Sequence, residues 1–203
     1  MDIGIEGVTF RPGHFDMAGQ RMLLGEIERV IEAAPLYVPR MPRTGKPFSV
    51  RMTNCGPLGW VSDEAGYRYQ AHHPETGAAW PPIPAALVEL WRAVGAPGEP
   101  EACLVNVYAE GAKLGLHQDS DEIDREAPVV SVSLGDTGRF RLGGTTRRAP
   151  TRSFPLKSGD VVVFGGPARL IYHGIDRVIT GSSSLVKGGG RINLTLRRVN
   201  PLE

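Results

Sequence analysis

The sequence predicts a mainly β fold with flanking helices, an α+β sandwich or jelly roll, on three observations. Short apolar runs recur from Ala102 onward between Gly and Pro turns, two helix-period segments precede them, and the 26 Gly and 17 Pro suit strands and turns better than a helical bundle. A chain of 203 residues can bury a core without disulfides or a structural metal, so one globular unit is expected. Cys55 and Cys103, far apart, read as buried thiols. No apolar stretch reaches membrane-spanning length, and Met1-Asp2-Ile3-Gly4-Ile5-Glu6 lacks a signal-peptide layout, so a cytoplasmic protein is expected. A net charge of +1 leaves any phosphate-binding surface to a local patch.

After a strand-like opening, Asp16 caps a helix carrying Leu23, Leu24, Ile27, Val30, Ile31 and Ala34 at helical spacing before Pro35. Tyr37 to Pro47, with Arg40, Arg43 and Lys46 among prolines, reads as an exposed basic loop leading into a strand from Phe48 to Cys55. A turn at Gly56-Pro57-Leu58-Gly59 precedes Trp60, Tyr67 and Tyr69. Pro81-Pro82-Ile83-Pro84 then introduces a second helix with Leu87, Leu90, Trp91 and Val94 on one side. The expected strands beyond it are Cys103 to Tyr108, Val129 to Leu134, Arg139 to Leu142, Arg152 to Leu156, Val161 to Phe164, Leu170 to Ile175 and Arg191 to Arg197. Gly181 to Gly190, rich in Ser and Gly, reads as a flexible hairpin or loop.

Strand side chains alternate faces, so Arg191, Asn193, Thr195 and Arg197 share one face and Ile192, Leu194 and Leu196 the other. Leu104, Asn106 and Tyr108 likewise oppose Cys103, Val105 and Val107. If the apolar faces pack under the helices, two arginines and an asparagine point between the sheets. Unpaired buried charge is too unfavourable to keep, so a polar ligand is implied.

His117-Gln118-Asp119 sets an imidazole and a carboxylate on one side of an extended backbone, and His173 lies on a later strand. A His-x-Asp triplet alone is an ordinary surface turn, and a His between Ile171 and Ile175 alone is an ordinary core residue. Together they make a two-His, one-carboxylate set that suits non-haem Fe(II) with open positions, or redox-inert zinc. Arg191 and Arg197 can each grip a carboxylate through paired charge-assisted hydrogen bonds, and 2-oxoglutarate carries one at each end.

The runs Met52 to Gly56, Leu58-Gly59-Trp60, Asn106-x-Tyr108, His117-Gln118-Asp119, Val130 to Gly135, Gly159 to Val163, Tyr172 to Ile175 and Arg191-x-Asn193-Leu194-Thr195-x-Arg197 closely resemble the bacterial AlkB family of oxidative DNA dealkylases, from about Phe48 to Arg198. The resemblance implies a cupin-like double-stranded β-helix in one Fe(II)/2-oxoglutarate dioxygenase domain: an N-terminal strand-helix extension at 1–47, a nucleotide-recognition lid at 48–80 and the β-helix core at 101–198. It implies His117, Asp119 and His173 as iron ligands and catalytic centre. Arg191 would hold the 2-oxoglutarate carboxylate nearest the metal and Arg197 the distal one, with Asn106, Tyr108 and Asn193 completing the pocket. Trp60 and His117 would sandwich the alkylated base, Tyr67 and Tyr69 touch the nucleotide backbone, Asp121 face a cationic base and Arg147 contact it.

The implied reaction uses Fe(II), 2-oxoglutarate and O2 to remove methyl groups from 1-methyladenine and 3-methylcytosine, in single-stranded DNA before duplex, with RNA as a further substrate, in a monomer that binds no membrane. Without the resemblance, Trp60 and the tyrosines read as packing, Asp121 with Glu122 and Asp124 as a solvated acidic turn, and His14, His72 and His73 as histidines with no metal context. Two other functions fit parts of the pattern: the same oxygenase chemistry on modified RNA or another non-DNA substrate, and a cupin-like module that only binds an anion.

Overall fold

The computed structural model describes residues 4–202, so the first three residues of the expected extension and Glu203 fall outside it. The first strand is β1 (Val8–Arg11), followed by helix α1 (Met17–Ala33). Asp16 caps α1 by accepting from the Gly19 N–H at 2.8 Å. Next come β2 (Arg51–Cys55), β3 (Gly59–Asp63), β4 (Gly66–Gln70) and helix α2 (Ala85–Ala93). The second half is β5 (Ala102–Tyr108), β6 (Leu114–His117), β7 (Val129–Gly135), β8 (Thr137–Leu142), β9 (Arg152–Leu156), β10 (Val161–Phe164), β11 (His173–Ile179) and β12 (Arg191–Arg197).

Six strands form a major antiparallel sheet in the order β1-β10-β7-β12-β5-β2, four form a minor sheet in the order β6-β11-β8-β9, and β3 and β4 make a separate hairpin. This is the predicted two-sheet β fold with helices to one side. The helices cover the outer face of the major sheet: Leu23, Ile27, Leu87 and Trp91 join Cys103, Val105, Ile192, Leu194 and Leu196 in one apolar layer. Each such fully buried aliphatic side chain contributes about 1.5–3 kcal/mol. The alternation predicted for β12 and β5 is therefore realised. The opposite face of the same strands, with Arg191, Asn193, Thr195 and Arg197, lines the space between the sheets.

Several boundaries differ from expectation. The strand expected from Phe48 begins at Arg51, because the Phe48 N–H donates to Pro39 O at 3.0 Å and Pro47 pairs with Arg40 across the base of the basic loop. The strand expected over Leu170 to Ile175 begins at His173. A short 3-10 turn at Gly166–Ala168 precedes it, and the Ile171 and Tyr172 N–H groups bond Ala168 O and Gly144 O. The hairpin β3-β4 and the short β6 were not foreseen as strands. The segment expected as lid divides, since β2 is the edge strand of the major sheet beside β5. Gly181 to Gly190 is not loose: the buried Asp136 carboxylate accepts from the Gly181, Ser183 and Gly190 N–H groups and the Ser182 hydroxyl.

Candidate metal centre

His117 closes β6, His173 opens β11, and the two are direct cross-strand partners. Their rings lie 4.5 Å apart between centroids. Asp119, two residues past His117, brings Oδ1 to 3.8 Å from His117 Nε2 and Oδ2 to 3.7 Å from His173 Nε2. Each imidazole is turned by its other nitrogen: Nδ1 lies 2.9 Å from Gly115 O in His117 and 3.0 Å from Ile171 O in His173. An Nδ1–H donating there leaves Nε2 as a lone pair aimed at the common point. Burial and the neighbouring His117 push the His173 ring down to about 4, so it is neutral near pH 7 and able to ligate. Burial alone would raise the Asp119 carboxyl, yet Arg197, His173 and His117 hold it well below the usual carboxylate range. These three side chains form a group able to hold a metal ion, and Asp119 Oδ2 is buried without a hydrogen-bond partner, as an oxygen reserved for a cation would be.

Close approach of the strands depends on Gly174. A Cβ there would meet Leu114 O at 2.5 Å and Gly115 O at 2.8 Å, so any larger residue would drive β6 from β11 beside both histidines.

A buried charged network supports Asp119. Arg197 donates from Nη2 to Asp119 Oδ1 at 2.8 Å and pairs through Nε with Glu122 Oε1 at 3.3 Å. Arg169 donates to Glu122 Oε2 at 3.0 Å, to Asp119 O at 2.7 Å and to Ala127 O at 2.8 Å. Three expectations change here. Arg197, not Arg191, sits at the metal end, because it is the arginine paired with Asp119. Glu122 and Asp124 are buried rather than part of a solvated turn, and only Asp121 stays exposed. The Tyr69 hydroxyl donates to Glu122 and lies 3.3 Å from Arg197 Nη1, so it is spent inside the network instead of facing a nucleotide backbone. Arg169 drew no notice in the sequence, since nothing in its neighbourhood distinguishes it from a surface arginine.

The cavity between the sheets has a volume of about 640 Å³ and brings together Asn106, Tyr108, Arg191, Asn193 and Arg197. Arg191 is 1% exposed, and its nearest partners are neutral: Ser133 Oγ at 2.8 Å and Leu156 O at 3.4 Å. Burial lowers its guanidinium to about 10, with Tyr108 and Asp160 opposing the shift. Burial likewise raises the Tyr108 hydroxyl to about 12. Asn193 donates to Ser131 Oγ and Val132 O, and Asn106 Oδ1 is buried without a partner.

At the mouth, Trp60 and Tyr67 stack with centroids 5.6 Å apart and planes 18° from parallel. The Trp60 Nε1–H donates to Asp121 Oδ2 at 2.7 Å. Arg147 also lines the mouth, over the Tyr172 ring at 5.9 Å. His73, by contrast, is buried and structural: its Nε2 lies 2.7 Å from Pro35 O and its Nδ1 accepts from the Glu75 and Thr76 N–H groups.

The model of the 2OG-Fe(II) oxygenase superfamily matches residues 7–197. An alpha-ketoglutarate-dependent dioxygenase AlkB homolog of Caulobacter vibrioides is 54% identical over 195 residues, covering 96% of this chain and 88% of that protein. The chain belongs to the AlkB family of 2OG-Fe(II) oxygenases. The solved structure of OsALKBH1 superposes with a TM-score of 0.81 at 30% identity, covering 95% of this chain and 96% of that one. A more distant relative, the DNA N(6)-methyladenine demethylase ALKBH1D of Arabidopsis thaliana, is 43% identical over 108 residues, 48% of this chain and 24% of that protein. As an AlkB-family enzyme the chain is a dioxygenase that uses Fe(II), 2-oxoglutarate and O2. The donor set fits that metal: two imidazoles and one carboxylate leave open positions for a cosubstrate. Among the described residues no helix is long and apolar enough to cross a membrane.

Proposed function

We propose that this enzyme demethylates alkylated bases, 1-methyladenine and 3-methylcytosine, in single-stranded DNA ahead of duplex, with RNA as a second substrate, acting as a monomer within one domain. One observation carries the reading: an exposed carboxylate, Asp121, is fixed by the Trp60 indole at the mouth of the metal cavity beside a stacked aromatic pair. N-alkylation makes the base cationic. A carboxylate beside an aromatic platform then favours the lesion over its neutral counterpart.

In this reading His117, Asp119 and His173 hold Fe(II), and Arg197, next to Asp119, orients the 2-oxoglutarate carboxylate at the metal end. Arg191 and Tyr108 take the distal carboxylate, where among the described residues the buried guanidinium has no carboxylate in ion-pair contact. Asn106 and Asn193 fill the remaining polar positions. Trp60 and His117 enclose the flipped base, Tyr67 braces Trp60, and Arg147 meets the base edge. Taking the base out of its stack is easiest in single strands, which sets the substrate order. Bound Fe(II) with 2-oxoglutarate and O2 supplies oxidation of the N-methyl carbon to an alcohol that leaves as formaldehyde, with succinate and CO2 as coproducts.

The test is incubation with Fe(II), ascorbate, 2-oxoglutarate and single-stranded DNA carrying 1-methyladenine, following methyl loss by mass spectrometry. Repair that vanishes in Asp119→Ala is the expected result. Succinate formed without methyl loss from any nucleic acid would refute the substrate.

A further inference from the structure

The minor sheet has an inner face that lines the cavity with Phe140, His173 and Ile175, and an outer face turned to solvent. On that outer face Arg139 of β8 and Arg177 of β11 are direct cross-strand partners, and both are exposed. Like charges so placed stand about 5 Å apart at Cβ and repel. Among the described residues neither guanidinium has an ion pair or a side-chain hydrogen bond. Arg141, two residues along β8, shares the face and is the arginine that the neighbouring carboxylate, Asp176, serves, at 3.2 Å. The strand then leads through Gly143 and Gly144 to Arg147 at the cavity rim. A row of cations thus runs from the rim onto the far side of the sheet, with its two outermost members uncompensated.

We propose that Arg139 and Arg177 form a second phosphate-binding site, which takes the backbone of the complementary strand when the substrate is a duplex. The inference rests on the nucleic-acid reading above. Arg139 and Arg177, about 5 Å apart at Cβ as cross-strand partners, are close enough for their long, forked guanidiniums to take neighbouring phosphates of one strand. A base drawn into the cavity leaves the complementary strand outside it, and the arginines that continue from Arg147 at the rim onto the outer face of the minor sheet are the cationic surface open to that strand. The two arginines lack counterions because a phosphodiester backbone is their counterion, and the repulsion between them is relieved when it arrives.

Binding of the full-length chain to a duplex of about 20 base pairs, and to its lesion strand alone, is measured by fluorescence anisotropy between 50 mM and 200 mM salt. The double variant Arg139→Gln/Arg177→Gln should lower the slope of log K against log salt on duplex by roughly 1.8, about 0.9 for each phosphate that is no longer neutralised. It should leave lesion-strand binding and demethylation of a methylated trinucleotide unchanged. Arg139→Lys/Arg177→Lys should keep the duplex slope. An unchanged duplex slope in the glutamine variant overturns the proposal, and an equal loss on the lesion strand alone overturns the assignment to the second strand. Failure of the wild type to demethylate the trinucleotide would instead refute the nucleic-acid reading itself.

Discussion

Asp121 and Glu122 are adjacent acidic residues with opposite fates. Asp121 stays at the mouth, while Glu122 is 3% exposed and held by Arg169, Arg197 and Tyr69. Asp121→Asn keeps an acceptor for the Trp60 indole and removes only the charge. The kcat/KM for a cationic lesion should fall roughly tenfold while that for a neutral alkylated base holds, and parallel assays on the two lesions measure the ratio. Arg169 belongs to the other class. Removing one partner of a buried ion pair strands the other charge, so Arg169→Met should destabilise the protein by about 3–5 kcal/mol in urea unfolding. Asp119 carries the Arg169 bond on its own carbonyl, and the variant that folds should bind Fe(II) more weakly.

At the scale of elements, what was legible in the sequence is what alternates. β12 and β5 have clean polar and apolar faces, and α1 and α2 have clear periods and capping or proline starts, so their positions followed from pattern alone. β6 carries only Leu114-Gly115-Leu116-His117 and is made a strand by pairing with β11, a tertiary fact no local pattern contains. The hairpin β3-β4 pairs a buried strand, with Val61 in the core, with a half-exposed one, so it shows no clean alternation. His117, Asp119 and His173 stand out by residue type, but spacing alone makes them an ordinary turn and a core histidine; the resemblance singles them out, and the fold brings them into one cluster. The Glu122–Arg169 pair was not legible, because 47 residues separate its members and only burial distinguishes them from surface charge. Gly174 joins the two scales, since it sets the approach of β6 to β11. Gly174→Ala should reduce metal affinity at least tenfold in a Co(II) titration and destabilise the fold by about 1–3 kcal/mol, as overpacking does. Normal Co(II) affinity in that variant would show that the strand spacing does not govern the histidine pair.

The whole molecule is two unlike halves of one sandwich: an apolar layer under the helices, and between the sheets a chamber that holds Arg191, Arg197 and Asp119 away from water. The two arginines differ in what they lack. Arg197 is already paired with Asp119 and Glu122, whereas Arg191 hydrogen-bonds Ser133 Oγ and the carbonyls of Leu156 and Asp136 and has its proton affinity lowered by burial. Burial of Arg191 therefore carries a desolvation penalty that a bound dicarboxylate relieves. A ligand at a hundredfold its Kd adds about 2.7 kcal/mol to the native state, which in a protein of this length raises Tm by roughly 5–10 °C. Co(II) with 2-oxoglutarate should produce that rise in the wild type, and 2-oxoglutarate without metal a smaller one. Arg191→Met replaces the isolated buried cation by a side chain of similar reach, so its unliganded Tm should equal or exceed that of the wild type while the rise with 2-oxoglutarate disappears. A variant that melts lower and still responds to 2-oxoglutarate would mean that Arg191 holds the sheets together and that the dicarboxylate is bound elsewhere.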